Sequence, residues 1–164
     1  MAYIGDTGDG GNYYNVNFAV GTKSPNKRDD VLLTQWLLHR VYADHPFFAA
    51  PDGEDIAIDG FIGQQTLKWI TAFQTDVRRL GQPCAVDGRV DSARKSAGSI
   101  SKTPYTILWL NSALRSANPT VFEDPGSDPD LPTELMAALQ ANSAAAGPFV
   151  ETVDSNLVPA TGGI

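Results

Sequence analysis

The stretch Ile58-Asp59-Gly60-Phe61-Ile62-Gly63-Gln64-Gln65-Thr66 decides how the rest of this chain is read. Asp and Gly together specify a tight turn, because the Asp carboxylate accepts backbone N–H groups and Gly tolerates positive φ. The apolar residues that follow pin the turn to a core, and Gly63 with Thr66 frames the start of a helix. A second copy, Val86-Asp87-Gly88-Arg89-Val90-Asp91, begins 28 residues later and shares the order apolar-Asp-Gly-x-apolar.

Helical periodicity surrounds both turns. Upstream, Asp29 and Asp30 supply a cap and first-turn charge for a helix. Val31, Thr34, Gln35 and Leu38 recur at helical spacing, with Leu33, Leu37 and Val41 on an adjacent face. Between the turns, Thr66, Ile70, Phe73, Val77 and Leu80 form one apolar stripe, widened by Trp69 and stopped at Gly81 and Pro83. After the second turn, Thr103 as cap and Pro104 as first residue predict a third helix. Its face carries Ile107, Leu110, Asn111 and Leu114, and Asn118-Pro119 ends it.

The combination resembles the peptidoglycan-binding-domain-like family. That family's pattern runs Val-x-x-Leu-Gln, Asp-Gly-x-Phe-Gly-x-x-Thr, Val-x-x-Phe-Gln and a second Asp-Gly. The matching residues are Val31 to Gln35, Asp59 to Thr66 and Trp69 to Gln74, then Asp87-Gly88, within residues 20–116. The lead-in from Val20-Gly21 to Val31 is similar to versions found beside phage lysins and injection-system effectors. Thr34, Ile62 and Asp91 depart from the pattern, and an insert from Ala93 to Lys102 separates the second turn from the third helix. The resemblance implies a mostly α fold, a small three-helix bundle at residues 29–118. It also implies a non-catalytic, cofactor-free module whose groove, holding Gln35, Asp59, Gly60, Phe61 and Gln74, docks peptidoglycan. Against this stands an architectural reading: Asp-Gly turns build the fold, and a Gln on an apolar helix satisfies loop backbone groups.

The flanks read differently. Residues 1–28 form an extended N-terminal arm, with a Gly- and Asp-rich run from Gly5 to Gly11. The alternation of Tyr14, Val16, Phe18 and Val20 suggests a short strand. Residues 119–164 form an acidic linker, a short helix from Pro132 to Asn142, and an Ala- and Gly-rich tail. Residues 1–115 hold twelve basic and twelve acidic residues, while seven acids and no base follow Arg115. The net charge of −7 therefore sits at the C-terminal end, which argues against nucleic-acid binding. No signal peptide or membrane span is legible, so cell-wall contact implies delivery by a phage particle or an injection or secretion machine.

Chemistry has few candidates. The single Cys84 reads as a small apolar residue, and His39 and His45 lack a third partner for zinc. The acids Asp52, Glu54, Asp55 and Asp59 lie in a polar loop. They match neither an EF-hand spacing nor a desolvated general acid. Trp36, Trp69 and Trp109 read as core. Three functions compete: a wall-binding module, a structural virion or injection-machine component that contacts other subunits through residues 1–28 and 119–164, and a muralytic enzyme. No catalytic constellation supports the third.

Overall fold

The computed structural model describes residues 1–6, 11–94 and 103–142. The tail from 143 onward, most of the insert and part of the glycine-rich run lie outside them. Among the described residues the chain is mostly α-helical with two small two-stranded sheets. No helix there is long and apolar enough to cross a membrane.

Helix α1 (Arg28–Asp44) is the axis of the molecule. It buries residues on every side, including Val31, Leu32, Leu33, Trp36, Leu37, Leu38 and Val41. A helix apolar all round must be central, and α1 packs on α3 (Thr106–Ala117), α2 (Gln64–Arg79) and α5 (Thr133–Asn142). Helix α2 is amphipathic and buries Thr66, Trp69, Ile70, Phe73, Gln74 and Val77 along the anticipated stripe. It ends where Gly81 takes φ 87°, a conformation that costs a glycine little.

The predicted caps are corrected. The N-cap of α1 is Lys27, which makes no side-chain cap. The acids tether the N-terminal segment instead. Asp30, fully buried, accepts the N–H groups of Asn17 and Phe18 at 2.9 and 3.1 Å, and Asp29 accepts that of Ala2 at 2.8 Å. Helix α3 starts at Thr106 rather than Pro104, because Pro104 forms a β-bridge and Tyr105, the N-cap, has extended backbone (φ −64°, ψ 140°).

Residues 1–6 and 11–28 do not form an extended arm. Strands β1 (Tyr3–Asp6) and β2 (Asn12–Asn15) pair antiparallel, with Ile4 opposite Tyr14, and lie against α5 and α3. Tyr13, Tyr14, Asn15 and Val16 are buried. The alternation expected through Val20 breaks at Asn17, where Asp30 captures the backbone, and Phe18 is left 44% exposed. Strand β3 (Val20–Gly21) then pairs with β4 (Arg89–Val90), joining the lead-in to the second Asp-Gly turn.

The short helix expected from Pro132 to Asn142 is α5, but the acidic stretch before it is not a free linker. Asn118 caps α4 (Pro119–Glu123) by accepting the Val121 N–H at 3.1 Å, and Val121 and Phe122 enter the core. Leu135 and Leu139 of α5 are fully buried. Between them and α4, Asp128 accepts the Trp36 indole N–H at 2.7 Å in the interior. The guanidinium of Arg40 lies among Asp44, Asp128 and Asp130. Acids that read as linker chemistry therefore include the polar attachment of this segment to α1. All three tryptophans are core, as their spacing suggests.

Candidate functional site

Two turns are built by the same device. Gln35, on α1, and Gln74, on α2, are almost wholly buried. The Gln35 side-chain carbonyl accepts the N–H groups of Asp59 and Gly60 at 3.1 and 2.8 Å. Its amide donates to the Asp59 carboxylate, the Phe61 carbonyl and the Thr66 hydroxyl at 3.0, 3.1 and 3.0 Å. Gln74 repeats this on the second turn. It accepts from Asp87 and Gly88 at 3.1 and 3.0 Å, and donates to the Asp87 carboxylate, the Arg89 carbonyl and the Thr106 hydroxyl at 3.0, 2.8 and 3.0 Å. In each turn the Asp carboxylate also accepts the N–H two residues on, from Phe61 at 2.9 Å and Arg89 at 3.0 Å.

The glycines complete both clamps. Gly60 has φ 77° and Gly88 φ 70°. A Cβ on Gly60 would lie 2.8 Å from the Arg28 guanidinium, and one on Gly88 2.9 Å from the Thr22 hydroxyl. Positive φ demands glycine at both positions, and a side chain there would also have to displace Arg28 or Thr22.

The candidate ligand residues Gln35, Asp59, Gly60, Phe61 and Gln74 thus fall into two groups. Gln35 and Gln74 are separate amides in separate turns, each with its oxygen and nitrogen engaged internally. Asp59 and Gly60 serve the first of those turns. Asp59 is exposed but uses one carboxylate oxygen within the turn, and Phe61 presents its whole ring outward. It is 69% exposed, with the Arg28 guanidinium 5.0 Å over its ring. Arg28 in turn donates to Glu134 at 2.8 Å and to the Asp59 carbonyl at 2.8 Å.

Sequence reading missed Thr106 as the counterpart of Thr66. The signal was present: Thr66 follows Asp59 by seven residues, whereas Thr106 follows Asp87 by nineteen. The longer connection hid the equivalence.

The depressions among the described residues include two that could hold a ligand. One, of about 590 Å³, runs between α2 and the segment before the short 3₁₀ turn Pro51–Gly53, lined by Ala49, Leu67, Lys68, Thr71 and Asp76 among others. Lys68 there pairs with Asp52. The other is a two-chambered cleft at the second turn, with chambers of about 220 and 360 Å³ sharing Arg89, Asp91 and Tyr105.

The reactive-residue candidates are otherwise occupied. Burial pushes the Cys84 thiol up to about 11, so it stays protonated near neutrality. Among the described residues no three His, Cys, Asp or Glu side chains gather as a metal site. His45 is buried, accepts the Phe47 N–H at Nδ1 (3.2 Å) and meets the edge of Phe48. Burial lowers its pKa below 6.5. Below pH 6.5 the unfolded imidazole binds a proton that the folded one resists, so stability is lost as pH falls through that window. We expect the urea midpoint to drop between pH 7.5 and 5.5, and to drop less in His45→Asn, whose amide oxygen keeps the acceptor.

The class defined so far is a mostly helical scaffold carrying two copies of a Gln-clamped Asp-Gly turn. Compared with known proteins, the chain matches no family model, no curated protein and no solved structure.

Proposed function

We propose that this chain is a non-catalytic binding module with a peptidoglycan-binding-domain-like core formed by α1, α2 and α3. It docks bacterial cell-wall peptide or glycan as an accessory of a phage particle or an injection machine. The observation that carries this reading is the duplicated clamp. The residues that resemble the family pattern, Gln35 with Asp59-Gly60 and Thr66 and Gln74 with Asp87-Gly88, are those that meet in three dimensions. The same six-bond arrangement occurring at both turns supports the resemblance.

The non-catalytic part rests on chemistry. Asp59 is spent on its own turn and Asp52 faces Lys68, leaving no desolvated carboxylate pair among the acids of residues 52–59. The competing reading, a purely structural component assembling through its arms, loses support because residues 1–6, 11–28 and 119–142 turn inward onto the core.

Incubating the purified protein with insoluble peptidoglycan sacculi and measuring its mass by light scattering tests this. Saturable co-sedimentation, reversed by soluble muropeptides, is the expected result. Protein that stays in the supernatant while forming a defined oligomer would overturn it in favour of the structural reading.

A further inference from the structure

We infer that the two-chambered cleft beside the second Asp-Gly turn is a subsite for the free carboxylate end of a short peptide. Resting on the reading above, it would take the C-terminal carboxylate of an uncrosslinked wall stem peptide.

The two clamps present different residues at the same position. The carbonyl that accepts the clamping amide belongs to Phe61 in the first turn and to Arg89 in the second. Arg89 is therefore held at its N–H, by Asp87, and at its carbonyl, by Gln74. Its backbone is also paired with Gly21 of β3. The fixed backbone sets the root of the Arg89 side chain, and its pair with Asp91 restricts the guanidinium, which reduces the entropy lost on binding.

Around it the cleft gathers the right chemistry. Arg89 donates to Asp91 at 2.9 Å and separates the two chambers together with Tyr105. Its Nε is buried with no acceptor, so the guanidinium is incompletely satisfied where it stands. Arg94 lines the larger chamber, is exposed, and makes no ion pair among the described residues. A planar guanidinium matches a carboxylate with two parallel hydrogen bonds. Phe18 lines the same chamber and is 44% exposed because Asp30 pulls its backbone out of the strand.

The acids narrow the ligand class. Asp87 and Asp91 line the smaller chamber, where their remaining lone pairs can accept peptide N–H groups. The same carboxylates repel a polyanion. The set fits one carboxylate attached to a peptide of small residues, and disfavours nucleic acid or a polyphosphate chain. The volume, at the small end for ligand sites, suits a chain terminus rather than a long polymer.

The test uses the full chain and two probes, diacetyl-Lys-D-Ala-D-Ala with a free C-terminus and the same peptide as its C-terminal amide. Titration of labelled protein, followed by NMR, should shift the Arg89, Tyr105 and Phe18 signals. The free acid should bind about tenfold tighter than the amide. Arg94→Gln, an exposed change that leaves the core intact, should abolish that preference, while Phe61→Ala on the other turn should not. Equal affinity for both peptides, shifts confined elsewhere, or an Arg94→Gln variant that keeps the preference would overturn the inference. Sacculus binding with no carboxylate preference defeats this subsite alone. Carboxylate-selective peptide binding without sacculus binding defeats the cell-wall reading and leaves the subsite standing.

Discussion

Gln74→Ala is expected to cost about 3 to 5 kcal/mol in urea unfolding, and Gln74→Glu more. Alanine leaves the buried N–H of Gly88, and the half-buried N–H of Asp87 and carbonyl of Arg89, without their partner. Each stranded polar group costs roughly 1 to 3 kcal/mol. Glutamate restores the acceptor but replaces the donating nitrogen with oxygen, aimed at the Asp87 carboxylate and the Arg89 carbonyl about 3 Å away. A conventional view of Gln74 as a ligand-contacting amide predicts the opposite: weakened binding with stability nearly unchanged. Far-UV circular dichroism melts on both variants, with Gln35→Ala as the matched substitution on the first turn, separate the two views. Similar losses at positions 35 and 74 are expected, since the bond sets correspond atom for atom.

Tyr14→Ala is expected to destabilise by about 3 to 5 kcal/mol, the usual range for removing a large buried aromatic. Tyr14 is 2% exposed and packs edge-on against both Trp36 and Phe122, with ring centroids 5.4 and 5.3 Å apart. Its hydroxyl donates to the Phe122 carbonyl at 2.6 Å, and its backbone N–H and carbonyl are both held by the buried Asn111 amide. One residue thus joins β2, α1, α3 and α4. Tyr14→Phe should cost only about 1 to 2 kcal/mol, because it strands one carbonyl while keeping the ring contacts. If residues 1–28 were an arm, both variants would melt with the parent. The comparison therefore reads directly whether the N-terminal segment belongs to the core.

Asn111 and Asp128 illustrate a general property of this molecule. Its interior carries polar side chains, Asn15, Asp30, Gln35, Gln74, Asn111 and Asp128 among them, each bonded to a segment distant in sequence. Their burial is tolerable only when every partner is in place.

The local sequence determined what local physics controls. Helical periodicity placed α1, α2 and α5 close to their observed spans, and Gly81 stopped α2. The two Asp-Gly pairs marked the turns, and the three tryptophans marked the core. The Gln residues stood out as polar positions on apolar faces, with a ligand contact and a backbone-satisfying role both open; the structure shows their amides bonded within the two turns. The tertiary structure alone decided the rest. Asp29 and Asp30 looked like caps because a helix start is a local signal, yet their partners, Ala2, Asn17 and Phe18, lie 12 to 27 residues away. Residues 119–130 looked like a linker because Pro, Gly and Asp favour turns. The Trp36 indole that makes Asp128 a buried acceptor is 92 residues distant. Thr106 escaped notice because the connection after Asp87 hid its equivalence to Thr66. A carboxylate reads as solvated until the donor that desolvates it is known, and that donor is supplied by the fold.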